Sequence, residues 1–144
     1  MPPTEIHTES YEGQCLCGAV RLKTQLKSNH VDACHCSMCR KWGGGPFLAV
    51  QCEGELQFEG GEHIATYQSS QWAERGFCNS CGTHLYYRLR EGNTYALPVG
   101  LLQEQQAWAF TEEIFIDEKP DFYSFAQETK KLTGAEVFAQ YSNE

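Results

Sequence analysis

Seven of the eight cysteines in this chain fall into three tight clusters. They are "QCLCGA" (Cys15, Cys17), "ACHCSMC" (Cys34, Cys36, Cys39) and "FCNSCGT" (Cys78, Cys81), while Cys52 stands alone in "VQCEG". Thiols used only as small buried hydrophobes have no reason to cluster in this way. The spacings are those of zinc ligands, so metal binding is the leading reading. The opening stretch "MPPTEIHTESYEG" has neither a basic segment nor an apolar run of the kind that marks a secretory signal. A cytoplasmic protein with reduced thiols is therefore expected, rather than a disulfide framework.

The clusters divide unequally. Cys78-x-x-Cys81 followed by Gly82 has the form of a zinc knuckle, in which glycine supplies the positive φ that a tight turn often requires. A knuckle offers two ligands and needs two more. Cys15 and Cys17 are two apart, so on an extended segment both thiols face one side and can chelate together. The outer clusters thus make a closed four-thiolate site whose metal affinity becomes folding free energy. The competing reading of "FCNSC" as a redox dithiol expects a βαβ pattern around it, which this sequence lacks.

Three thiols remain in the middle. Cys34 and Cys36 share one side of an extended segment, and Cys39 can reach back from the next turn. His35 could be the fourth ligand, but the same alternation turns it away from the sulfurs, so a packing histidine hydrogen-bonded through one ring nitrogen is favoured. Cys52 could in principle complete the site, but it has no partner at chelating distance in sequence and reads as a core thiol. Three protein ligands plus one exchangeable position is the pattern of a catalytic zinc.

The rest of the chain bounds the fold. Its 144 residues suit one domain, 1–144, and 41% hydrophobic with 21% charged residues is a globular composition. The longest apolar stretches, "PFLAV" and "YALPVGLL", are too short for a membrane span. The net charge, 11 − 19 = −8, argues against a general phosphate-backbone binder. Glycines leave segments of strand length between them. "AVRLKTQL" alternates, with Val20, Leu22 and Thr24 on one face. "ELQFE", Gly60–Gly61 and "HIATYQ" predict a hairpin, "THLYYRLR" and "TYALPVG" a strand pair, and "EEIFID" a further strand. "SMCRKW" predicts one helical turn and "GAEVFAQYS" a short helix. The expected fold is mainly β with few short helices.

With these motifs in hand, the chain resembles the glutathione-dependent formaldehyde-activating enzyme family, which includes centromere protein V-like domains. The resemblance rests on "GQCLCGAVRL", "CHCSMCRKWGGGPF", "GG" ahead of "Y-x-SS", "RGFCNSCGTHLYY" and "IFIDEKPDFY", and spans residues 11–125. It implies a tent-like zinc-bound β fold, similar to the Rab-binding exchange-stimulator proteins. It implies two zinc ions, a structural one on Cys15, Cys17, Cys78 and Cys81 and a catalytic one on Cys34, Cys36 and Cys39. The implied activity is carbon–sulfur lyase chemistry, the condensation of glutathione with formaldehyde and its reverse, similar to S-(hydroxymethyl)glutathione synthase. This sequence departs from the pattern at Glu113, where many relatives have histidine, and at Phe122, where many have tryptophan.

On that reading a substrate thiol entering the exchangeable position would lose its proton and add to an aldehyde carbon. Alternatively, zinc would polarise the aldehyde oxygen. Arg40, Lys41 and Arg75 flank the cysteine clusters and could meet the carboxylates of a glutathione-like peptide, or could be ordinary solvated cations. Trp42 could wall a pocket or belong to the core. The alternative function is a non-catalytic two-zinc module that binds protein or nucleic acid.

Overall fold

A computed structural model describes residues 9–53, 56–92, 94–103 and 108–142. In chain order the regular elements are β1 (Glu9–Gln14), β2 (Arg21–Leu26), β3 (His30–Cys34), α1 (Ser37–Gly43), β4 (Phe47–Glu53) and β5 (Leu56–Glu59). They continue with β6 (Ile64–Tyr67), β7 (Ala73–Cys78), β8 (His84–Leu89), β9 (Thr94–Pro98), β10 (Ala109–Ile114), β11 (Lys130–Leu132) and α2 (Gly134–Ser142). The fold is mainly β with two short helices, as expected. Among the described residues, no helix is long and apolar enough to cross a membrane.

Contacts divide the chain into two compact units, Met1–Asn29 with Val50–Ala107 and His30–Ala49 with Trp108–Glu144. Each is built from two separate stretches of chain, and β4 passes from the second unit into the first. In the first unit β1, β2 and β5 form an antiparallel sheet in that order. The strands β9, β8, β7 and β6 follow one another as antiparallel neighbours. The alternation in β2 is realised: Leu22, Thr24 and Leu26 are buried while Arg21, Lys23 and Gln25 are exposed. Val20, Leu85, Leu97 and Leu102 are among the fully buried side chains of this unit. Cys52 is buried here too, its Sγ 2.8 Å from the Thr24 hydroxyl, a core thiol as its isolation suggested.

One expected pairing is corrected. The two segments around Gly60–Gly61 do not form a hairpin: β5 pairs with β2, and β6 pairs with β7. (Glu55, the first residue of the expected strand, lies outside the described residues.) The glycines turn the chain away from its own strand. Gly60 is left-handed at φ 79°, and a 3-10 turn follows at Gly61–His63. A Cβ on Gly60 would stand 2.0 Å from the Ala19 carbonyl oxygen. The backbone therefore lies flush against the start of β2, where only glycine fits. The strand pair β8–β9 forms as expected, with Tyr87 opposite Ala96.

In the second unit the order is β11, β10, β3, β4. Both β11 and β3 run parallel to β10, and β4 is antiparallel to β3. The predicted strand "EEIFID" is shifted. β10 begins at Ala109 and stops at Ile114, because Phe115 takes a left-handed φ of 56° and opens a 3-10 turn at Ile116–Glu118. Its ring packs edge-on against Phe138 of α2, 5.8 Å between centroids. The helix predicted from "GAEVFAQYS" is α2 itself.

Candidate metal centres

In the first unit, two tight turns face each other. The chain leaves β1 and folds back, with the Cys15 amide donating to the Val20 carbonyl and the Gly18 amide to the Cys15 carbonyl. Cys15 and Cys17 thus converge through a turn, not along the extended strand that their spacing suggested. The knuckle at the end of β7 closes in the same way, with Gly82 N–H donating to Cys78 O and Cys78 N–H to Thr83 O. Gly82 has φ 83°, as the turn demands. Cys15 and Cys17 sulfurs are 3.6 Å apart, and Cys17 and Cys78 sulfurs 3.8 Å.

All four sulfurs, Cys15, Cys17, Cys78 and Cys81, lie within 4.8 Å of one another. A tetrahedron with zinc–sulfur bonds of about 2.3 Å has edges of about 3.8 Å, so the set fits that ion. Backbone amides point at the sulfurs as well, Val20 N–H at Cys15 and Ser80 N–H at Cys78. Thr83 ties the two turns: its Oγ1 accepts from Leu16 N–H and lies 3.1 Å from the Cys81 sulfur.

His84 opens β8. Burial, joined by the nearby charge of Arg75, lowers its pKa to about 4, although its Nε2–H donates to the Tyr86 carbonyl. The unfolded chain takes up this proton near pH 6.5, and the folded chain only near pH 4. Stability is therefore expected to fall as pH drops through that window, by up to about 3 kcal/mol, and this term levels off below it. His84→Gln keeps a donor for the carbonyl and cannot titrate. Denaturant midpoints at pH 7 and pH 5 should separate more in the wild type than in the variant; equal losses would remove His84 as a cause.

In the second unit, Cys34 ends β3, Cys36 caps α1 and Cys39 sits within the helix. His35 N–H donates to the Ile114 carbonyl, so the chain stays extended beside β10 through this point. Cys36 Sγ then accepts from Cys39 N–H, which starts the helix and brings the third sulfur back. The three sulfurs lie within 4.8 Å of one another, and among the described residues no fourth histidine, cysteine or carboxylate donor joins them. Phe47, Ile114 and Phe115 pack against them.

The crowding splits the thiols. Hydrogen bonds from Cys34 and Cys39 draw Cys36 down to about 2. Cys34, giving its hydrogen bond to Cys36 and lying close to Cys39, is pushed far up. Three sulfurs so placed cannot all be thiolates unless a cation sits among them. The all-sulfur donor set and its spacing suit zinc at this centre also.

His35 is wholly buried, and its ring turns away from the metal-ligating role. Its Nε2 is 2.8 Å from Glu113 Oε1, and its Nδ1 is 2.7 Å from the Tyr123 hydroxyl. Both ring nitrogens are engaged, where the sequence suggested one. Glu113 is 2% exposed, and its second oxygen accepts from Thr129 Oγ1 at 2.6 Å. Burial pushes its carboxyl up, but the hydrogen bonds from Thr129 and His35 outweigh this and hold it below the ordinary range.

The other suspected substrate residues divide between the two units. Arg40, Lys41 and Trp42 lie on α1 with Cys39. Arg40 is half-buried and its Nε–H donates to the His35 carbonyl, while Lys41 is exposed. Arg75 belongs to the first unit, is 2% exposed, and holds its guanidinium 5.1 Å from the centre of the Tyr87 ring. Phe122 is 83% exposed and packs edge-on against Tyr123. The partners Tyr123 and Thr129 were not foreseen from the sequence. The one signal was a carboxylate at Glu113 inside a strand.

Residues 10–118 match the model of the family described as glutathione-dependent formaldehyde-activating enzyme. An uncharacterized lyase of Schizosaccharomyces pombe is 39% identical over 128 residues, covering 88% of this chain and 93% of that protein. Two further relatives are named as glutathione-dependent formaldehyde-activating enzymes. One, from Halomonas elongata, is 36% identical over 84 residues (52% of this chain, 54% of the relative). The other, from Podospora anserina, is 33% identical over 112 residues (70% and 53%). The matches thus span about half the length of these two. A crystal structure of a Rhodobacter sphaeroides protein superposes with a TM-score of 0.58 at 27% identity, covering 67% of this chain and 91% of that one.

Proposed function

The chain belongs to the glutathione-dependent formaldehyde-activating enzyme family, and from that premise we propose that it is a zinc-dependent carbon–sulfur lyase acting on the adduct of a small thiol, such as glutathione, with an aldehyde. The observation that carries this reading is the inequality of the two centres. Four sulfurs close one, whereas Cys34, Cys36 and Cys39 give the other only three donors. The first is a structural site and the second a catalytic one. When bound at the second centre, zinc supplies the positive charge that turns an incoming thiol into its thiolate at neutral pH.

The chain's own groups do the rest. Phe47, Ile114 and Phe115 line the sulfurs with apolar surface and limit water there. Arg40, tethered through Nε to the His35 carbonyl, keeps its terminal N–H groups for a substrate carboxylate, and the exposed Lys41 adds a second cation. In the condensing direction the substrate sulfur bonds to the aldehyde carbon, and the thiol proton ends on the former carbonyl oxygen. In the lyase direction that carbon–sulfur bond breaks and the proton returns to sulfur. A cytoplasmic setting suits this chemistry, since both centres need reduced cysteines and a reducing compartment keeps them so.

The test is cobalt substitution with metal analysis. Two metal ions per chain are expected, and glutathione or its formaldehyde adduct should change the visible spectrum of one centre while leaving the other untouched. A protein that takes up two ions but responds to no thiol and no adduct would be an interaction module, not this enzyme.

A further inference from the structure

We infer that Glu113 is a positioning residue for the three-thiol centre, acting through His35 to fix the directions of the Cys34 and Cys36 sulfurs. This rests on the reading of that centre as a metal site.

A carboxylate buried to 2% exposure is costly unless it is paired and hydrogen-bonded, and replacing such a buried pair as a whole by apolar residues of similar size is often neutral for stability. Yet the chain keeps a carboxylate there and surrounds it with donors: His35 Nε2 at 2.8 Å, Thr129 Oγ1 at 2.6 Å and, at 3.9 Å, the Lys131 ammonium. Those contacts make sense if the carboxylate is there to hold the imidazole.

Holding it has a definite consequence. A carboxylate only accepts, so Nε2 carries the hydrogen. Nδ1 then accepts from the Tyr123 hydroxyl, and one tautomer and one ring orientation are selected. The rings of Tyr123 and Phe125 pack beside the imidazole, at 5.5 and 5.9 Å between centroids. The backbone of His35 is held as firmly, its N–H by the Ile114 carbonyl at 3.1 Å and its carbonyl by Arg40 Nε at 3.0 Å. Every polar group of this residue is therefore tied down, and it stands between two ligands. Cys34 and Cys36 can bite a common ion only while the peptide between them stays extended, and the His35 side chain is its anchor on the face away from the sulfurs. Glu113 is also in register with Ala33, one residue before Cys34, so strand pairing and side chain act on the same segment. Outer partners of this kind typically change metal affinity about 10- to 100-fold when removed.

The experiment uses cobalt-loaded full-length protein: wild type, Glu113→Ala, Glu113→Gln, Tyr123→Phe, His35→Ala and the His35→Ala/Glu113→Ala pair. Wild type should hold two ions. Glu113→Ala should weaken the three-thiol ion about 10- to 100-fold and shift its visible bands, with the four-thiol ion unchanged. Glu113→Gln keeps an oxygen for His35 Nε2 and should recover most of the affinity, and Tyr123→Phe should weaken it less than Glu113→Ala. The double variant should be no weaker than the worse single one, because both act through one contact. Wild-type affinity and spectrum in the Glu113 variants, or equal loss from both centres in Glu113→Gln and Tyr123→Phe, overturns the inference and leaves the proposed activity standing. A wild type that binds one ion only brings down the metal reading itself and this inference with it.

Discussion

Cys78→Ser is expected to leave the protein insoluble or several kcal/mol less stable. Cys78 is fully buried at the end of β7, and its backbone closes the knuckle through Thr83. Its sulfur is 3.8 Å from Cys17, which is the edge length a tetrahedral thiolate set requires. Serine's C–O bond is shorter than the C–S bond it replaces, and its hydroxyl is a far poorer zinc ligand than a thiolate. The two turns it would disconnect come from chain segments far apart, Cys15–Cys17 and Cys78–Cys81, so an ion held by all four would tie them together. Structural zinc in small domains contributes about 10–16 kcal/mol of apparent binding free energy, so losing even a fraction of it exceeds the margin of an ordinary domain. Cys81→Ser should behave alike, somewhat softened because Cys81 is only half-buried and its hydroxyl replacement can still meet Thr83. Thermal melting with zinc content is the measurement. A midpoint within a few degrees of wild type, at one zinc fewer per chain, would show that the first unit does not depend on this ion.

The two sulfur clusters that could hold metal were legible in the sequence because their information is local. Cys78-x-x-Cys81-Gly82 specifies its own turn, and the four-plus-three partition follows from counting ligands. The outward turn of His35 was legible too, from the alternation of an extended segment. Pairing partners were not. The segment before Gly60 carries the pattern of a hairpin arm, yet which strand it joins is decided by how closely its backbone can approach Ala19, a contact across 41 residues (60 − 19). Phe115 shows a second limit: nothing in "EEIFID" announces that a bulky aromatic will adopt φ 56°, because the packing of its ring against Phe138 is tertiary. The Glu113 network shows a third. His35 and Glu113 are 78 residues apart, and an acidic residue in a strand reads as solvent-facing until the neighbouring strand is in place.

Cys36→Ser should do the opposite of Cys78→Ser: leave the protein folded, remove one zinc, and abolish thiol-adduct turnover. The fold around the three-thiol centre has anchors of its own. Strand β3 is paired on both sides, with β10 and β4. The first turn of α1 is held by Glu118, whose carboxylate accepts from Ser37 N–H, and by Arg40 on the His35 carbonyl. Cys36 itself is the N-cap, its sulfur accepting from Cys39 N–H at 3.3 Å. Serine is among the preferred residues at that position and can take over the same bond, so the helix should start where it does now. What serine cannot replace is a soft thiolate ligand. With two sulfurs left of three, the ion should be lost on gentle dialysis, and turnover should fall at least about 100-fold, the upper end of what losing even an outer partner of a metal site does. Cys39→Ser should give the same activity loss with a somewhat lower melting point, because Cys39 is buried within the helix and a hydroxyl there must find an acceptor. Run beside Cys78→Ser, the two variants separate a centre that holds the fold from one that holds a substrate. If Cys36→Ser melts as early as Cys78→Ser, both centres are structural and the lyase reading loses its physical basis.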